Sequence, residues 1–263
     1  MKKITTNIRK NILHIANLAL SPHIGSALSC SDILATLYFD VLRLEEYENR
    51  DLFLLSKAHS AMALYATLYE KGLLSKEDME GYYQNGGTLP AHTDRLTNPY
   101  IEISAGSLGH GLPIATGMAH ALKLQNSGRN VYVLMGDGES QEGSVWEAAM
   151  LAPQLKLDNL TVFIDRNDLQ GYGRASELLS YEPIDKKFEA FNWEVLRIDG
   201  HNHEAIKEAV ETPTDKPKMI ICDTTKGKGV SFMEDELIWH YYLVTDEVKA
   251  KALKELEESL DEK

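Results

Sequence analysis

The chain has 263 residues, 43% hydrophobic and 25% charged, a balance that fits a globular protein with a sizeable core. Its net charge of −13, from 27 Lys and Arg against 40 Asp and Glu, argues against nucleic-acid binding through bulk electrostatics; an anionic ligand needs a local cluster of cations. No apolar run approaches the ~18 residues of a membrane span, and Cys30 and Cys222, far apart and without metal-ligand spacing, read as buried, reduced thiols.

In chain order, MKKITTNIRKNILHIANLAL mixes polar with apolar residues at helical spacing. It predicts an amphipathic first helix over about 5–20 rather than a signal peptide, and with it a cytoplasmic protein. The same periodicity predicts helices over about 29–43 and 59–71, with DLFLLS (51–56) as a short buried strand between them. Residues 75–110, rich in Gly, Thr, Pro and Asn, have the length of a functional or mobile segment. LPIATGMAHALKLQ then reads as a small-residue, closely packed helix. Apolar runs at 131–137, 160–165, 194–199 and 218–225 follow, separated by SVWEAAMLAPQLK, IDKKFEAF and HEAIKEAV. Short apolar strands alternating with helices predict an α/β fold, a mostly parallel sheet with helices on both faces. Ligands in such folds bind beyond the carboxyl ends of the strands, where Gly136–Gly138, Gly171–Gly173 and Gly227–Gly229 fall. The tail, 245–263, reads as a charged helix, solvated or leaning on a partner. No repeat or linker interrupts the chain, so a single domain over 1–263 is expected.

Asp137 stands between Gly136 and Gly138 at a strand end, where missing Cβ atoms let backbone N–H groups approach a phosphate. The helix beginning near Ser144 adds its positive end. Asn167 follows the next strand and offers a neutral oxygen. Asp137, Asn167, a backbone carbonyl and diphosphate oxygens suit the near-octahedral shell of Mg²⁺. Taken singly, Asp137 would serve as well as a helix cap and Asn167 as a turn residue. The order of strand, Gly-Asp-Gly, helix, strand, Asn and LQGYG resembles the pattern of the thiamine diphosphate fold.

The segments SPHIGSALSCSDILATLYFDVLR, LLSKAHSAMALYATLYEKG, GSLGHGLPIATGMAHALK, GDGESQEGSVWEAAMLAPQLKLDNL, DRNDLQGYG, FNWEVLRIDGHNHEAI and TTKGKGVSFMEDELIWH, in this order, carry a resemblance over essentially the whole chain. Together they resemble the N-terminal, diphosphate-binding part of a transketolase. The resemblance implies thiamine diphosphate and Mg²⁺ as cofactors, with Asp137, Asn167 and the Leu169 carbonyl as metal ligands and Gly138 on the diphosphate. It places Lys57, His59, Lys226 and His240 around the cofactor, and Gly106, Ser107 and Leu108 along its aminopyrimidine side. His23 and Ser26 match the substrate-channel segment, as does His92 with a looser alignment, and imidazoles there suit sugar hydroxyls and proton shuttling. Ser104 or Ser107 also fits a helix cap. Glu142 and Glu147 match acids near the family's subunit interface. Departures fall at His110, where many relatives carry Gln, at SPHIG for SGHPG, and at Tyr241-Tyr242 after WH; they bear on substrate identity and the mouth of the pocket.

The same resemblance implies that the glutamate activating the cofactor belongs to a pyrimidine-binding domain that no stretch here resembles. The expected protein is therefore one subunit of a split transketolase, partnered by a second chain in a two-plus-two heterotetramer. Its reaction moves a two-carbon ketol unit from a ketose phosphate to an aldose phosphate, with no role for nucleic acid or membrane. Two alternatives are a subunit resembling 1-deoxyxylulose 5-phosphate synthase, against which LSKAHSAMALYATLYEKG weighs, and a non-catalytic cofactor-binding scaffold. Intact Asp137, Asn167, His59 and Lys226 weigh against the scaffold.

Overall fold

The structure, a computed structural model, describes residues 1–261. Five strands, β1 (Leu52–Leu55), β2 (Val131–Gly136), β3 (Leu160–Arg166), β4 (Glu194–Asp199) and β5 (Lys218–Asp223), pair in parallel in the order β1-β2-β3-β5-β4. The central strands are apolar runs because both sheet faces are covered. β4, at one edge, alternates in charge instead, and Arg197 on it reaches Asp223 of β5 at 2.8 Å. Charge on an edge strand discourages further pairing there.

The helices are α1 (Lys2–Ala19), α2 (Ile24–Ser29), α3 (Ser31–Thr36), α4 (Ala61–Glu70), α5 (Lys76–Glu80), α6 (Gly111–Leu124), α7 (Gly143–Gln154), α8 (Ala175–Leu178), α9 (Ile184–Ala190), α10 (His203–Glu211) and α11 (Asp246–Asp261). Successive strand residues point to opposite faces. On β2, Tyr132 and Leu134 therefore join a core with α1, α3 and α4, while Val131, Val133 and Met135 join one with α6, α7 and α9. Cys30 and Cys222 are fully buried free thiols in the first of these cores. No described helix is long and apolar enough to cross a membrane.

The helix expected over 29–43 divides and starts earlier. After Pro22, His23 takes a left-handed conformation (φ 70°), and α2 begins at once. All six α2 residues and all six α3 residues are buried, so there is no exposed face to create an amphipathic period. Leu37–Val41 forms a wide last turn, in which the Leu42 N–H donates to the Leu37 carbonyl at 2.8 Å. The charged tail is helical as expected from Asp246 to Asp261; residues 262 and 263 lie outside the described residues.

Because all five strands run parallel, their carboxyl ends share one edge of the sheet. Ser56–Lys57, Asp137–Glu139, Asn167–Gly173 and Thr224–Gly229 follow β1, β2, β3 and β5 there. The chain skips a place after β3 and returns with β5 into the gap, which sets the Asn167 turn beside Lys226.

Candidate active site

These turns surround a cavity of about 550 Å³, and every residue singled out from sequence for cofactor, metal or catalysis lines it except Ser107. Behind the lining residues Lys57 and Asn167 lies Asp165 of β3, fully buried, accepting hydrogen bonds from Ser29 Oγ at 2.6 Å, from Thr224 Oγ1 and from Asn167 Nδ2 at 3.3 Å. Lys57 is ion-paired to it and also donates to the Ser26 carbonyl at 3.0 Å. Burial alone would lower the pKa of Lys57 and raise that of Asp165. Burial is the largest single influence on each, but the opposite charge and the hydrogen bonds around the pair together outweigh it, so Lys57 is held above its ordinary value and Asp165 below.

Lys226 is the second buried cation. Its Nζ donates to the Leu169 carbonyl at 2.8 Å and stands 3.0 Å from His240 Nδ1. Burial, and then the nearby Lys57 charge, pull it down to about 8. Two largely buried ammonium groups on one cavity are the local cation cluster that a net charge of −13 requires for an anionic ligand.

Three imidazoles form one wall. The His23 ring centroid lies 4.7 Å from that of His240 and 5.3 Å from that of His59. Burial is the first cause holding all three below the ordinary value, followed by His92 for His23 and by lysine charges for His59 and His240; His23 falls to about 4 and His240 to about 3. All three are therefore neutral at pH 7. His59 Nε2 is 3.0 Å from Ser26 Oγ, whereas the buried His23 Nδ1 has no partner. His92, half-buried, also lines the cavity, beside Gly106.

Asp137 is almost fully buried. Its carboxylate accepts from the Gly138 N–H at 2.7 Å and the Asp168 N–H at 2.6 Å. Burial, and then Asp165, raise its pKa to about 6 in spite of those bonds. Asn167 Oδ1 accepts from the Leu169 N–H at 3.1 Å, so this residue does shape its turn as the local reading allows. A Cβ built on Gly136 would meet nothing within 4 Å, which leaves its backbone facing open cavity.

The chain matches the description "Transketolase, thiamine diphosphate binding domain" over residues 1–255. An apulose-4-phosphate transketolase subunit of Phocaeicola vulgatus is 41% identical over 260 residues, 96% of this chain and 92% of that protein. The chain belongs to the transketolase family. The 6-deoxy-6-sulfo-D-fructose transketolase subunit SqwG of a Clostridium species is 40% identical over 242 residues, 89% of this chain and 88% of that one. Human transketolase is 34% identical over 245 residues, which are 91% of this chain but 39% of the human protein. Among solved structures, transketolase from Leishmania mexicana superposes with a TM-score of 0.90 at 28% identity, over 97% of this chain and 41% of that one.

Several features of this transketolase domain were not anticipated from sequence. Asp165 reads in sequence as the polar end of a strand; its partners arrive from three other elements. Glu139, nearly fully buried, ties three cavity segments together: Oε1 accepts from Ser56 Oγ and from the Gly109 N–H at 3.0 Å, and Oε2 from the Gly136 N–H at 3.2 Å. Its only sequence signal is an acid immediately after Gly-Asp-Gly. Glu139→Gln must turn an amide NH₂ toward one of these donors, so thermal unfolding should show a loss of about 2 kcal/mol.

One expectation needs correction. Neither Ser104 nor Ser107 caps α6: His110 occupies the capping position without a side-chain bond, and Ser104 Oγ donates to Asp94 instead at 2.8 Å. Ser107 is exposed and outside the cavity lining, while Gly106 and Leu108 line it. Among the departures, His110 is exposed and does not line the cavity, whereas Tyr241 does. Tyr242 is exposed and packs edge-on against Trp239. Glu142 borders the cavity and Glu147 does not.

The donor chemistry bears on a metal. Among the described residues, no three His, Cys, Asp or Glu gather as a metal site. Asp137, Asn167 and the Leu169 carbonyl supply hard oxygens but one formal negative charge, so a cation there needs further oxygens from an anionic ligand. The open space at Gly136 and the two buried lysines are where such a ligand fits.

Proposed function

We propose that this chain is the diphosphate-binding subunit of a two-chain transketolase using thiamine diphosphate and Mg²⁺. The observation carrying this reading is the convergence, in one cavity, of buried Lys57 and Lys226 with the oxygens of Asp137, Asn167 and Leu169. Those three oxygens would hold Mg²⁺, and Gly138 and the lysines the diphosphate. Gly106, Ser107 and Leu108 would flank the aminopyrimidine. When bound, the cofactor supplies the nucleophilic carbon and electron sink for ketol transfer.

The chain's own groups then act on the sugar. His23, with Nδ1 free and its ring neutral, donates or accepts a hydrogen bond at a substrate hydroxyl. His59, anchored to Ser26, and His92 on the same cavity take up and return protons at the reacting oxygens. His240, through Lys226, keeps the Leu169 turn in place. The glutamate that activates the cofactor would come from a second chain bearing the pyrimidine-binding domain, in a two-plus-two assembly. The near end-to-end match to proteins named as subunits supports this division.

Affinity isolation from the native host tests it. We expect a stoichiometric second chain, and two-carbon transfer only when both chains are present. A panel containing apulose 4-phosphate, 6-deoxy-6-sulfofructose and the common pentose phosphates then identifies the donor. Recovery of the chain alone, or transfer without a second chain, would refute the division of labour.

A further inference from the structure

The turn after β3 is gripped twice from the segment that follows β5. Within the turn, the Gln170 N–H donates to the Gly173 carbonyl at 2.9 Å and Leu169 bridges antiparallel to Arg174. Lys226 Nζ forms the first grip, on the Leu169 carbonyl. The second is a bond from Tyr241 Oη to the Gly171 carbonyl at 2.7 Å. Between the grips, His240 touches both: its Nδ1 is 3.0 Å from Lys226 Nζ and its ring centroid is 4.8 Å from that of Tyr241. The His240 carbonyl is itself fixed by the His23 N–H at 3.1 Å.

The approach at Gly171 is close. A Cβ built there would lie 2.7 Å from Tyr241 Oη and 3.4 Å from His240 Nε2, so glycine at 171 and tyrosine at 241 are a matched pair. Tyr241 is 53% exposed, so its ring contributes little to the core and its phenol hydroxyl is its principal tie to the turn.

We propose that Tyr241 is a positioning residue for the cation site: through the Gly171 carbonyl, its hydroxyl holds the Leu169–Gly173 turn with the Leu169 carbonyl aimed into the cavity before the cofactor arrives. A carbonyl has two lone pairs, so Lys226 occupies one and leaves the other for a cation. Without the hydroxyl, the turn spends part of its time in conformations that do not ligate, and apparent affinity falls by that fraction. This rests on the cation-site reading above.

The test is Tyr241→Phe, which keeps the ring and removes the hydroxyl. In the cofactor-free complex, amide exchange at Gln170 should quicken several-fold. The Mg²⁺ concentration that half-saturates thiamine diphosphate binding, read by calorimetry, should rise about fivefold, as for the loss of one hydrogen bond. Raised Mg²⁺ should restore full occupancy. Wild-type exchange at Gln170, or an unchanged Mg²⁺ requirement, would overturn the proposal. A wild-type complex that binds the cofactor equally well without Mg²⁺ would instead overturn the cation-site reading, and this proposal with it.

Discussion

Asp137→Ala should weaken Mg²⁺-dependent binding of thiamine diphosphate by about 100-fold or more, since losing even a group that only supports a metal ligand costs 10–100-fold. The same change should leave the apo protein as stable as the wild type, or more so. Burial and Asp165 hold the Asp137 carboxyl up at about 6, so the interior resists its charge, and a bound cation reverses that penalty. The substitution leaves the N–H groups of Gly138 and Asp168 without the carboxylate, which limits the gain. Loss of binding without loss of stability distinguishes a ligand from a structural helix cap, whose removal would lower the melting temperature. Calorimetric titration and thermal unfolding of one preparation read both quantities.

Asp165→Ala should cost about 3–5 kcal/mol, because it strands the Lys57 ammonium in the interior. It also leaves Ser29 and Thr224 hydroxyls without their acceptor. Replacing both members, as in Lys57→Met with Asp165→Leu, should recover much of that stability while abolishing cofactor binding, since Lys57 faces the cavity. The pH dependence has a definite sign. Asp165 is depressed below its ordinary 3.8, so its contribution is complete above that value and is lost as pH falls through the lower folded-state value. Lys57 is raised, so its contribution is complete below its ordinary 10.5 and is lost as pH rises through the higher folded-state value. The wild-type advantage over Asp165→Ala in unfolding free energy should therefore shrink at the acid end, below the ordinary carboxylate range.

The strands were legible because a parallel sheet covered on both faces leaves uninterrupted apolar runs, and Gly-Asp-Gly with Asn167 marked their carboxyl ends. Sheet order was not legible. Nothing local to KMIICD says that β5 inserts between β3 and β4, yet that insertion is what brings Lys226 to the Leu169 carbonyl. The periodicity that located α1 failed for α2 and α3 because they are buried on every side. Asp165 and Glu139 escaped notice for a related reason: each looks like a polar strand or turn terminus, and its role exists only in partners far along the chain, such as Ser29 and Thr224 for Asp165. Tyr241 was visible as a departure, but its contact with Gly171 needed the fold.

The most direct measurement is calorimetric titration of thiamine diphosphate into the protein, purified with the proposed second chain, with Mg²⁺ and then with the metal chelated. The geometry predicts one cofactor per diphosphate-binding chain with Mg²⁺ present, binding that collapses on chelation, and the same collapse in Asp137→Ala. Equal affinity with and without the metal, undiminished in Asp137→Ala, would contradict it.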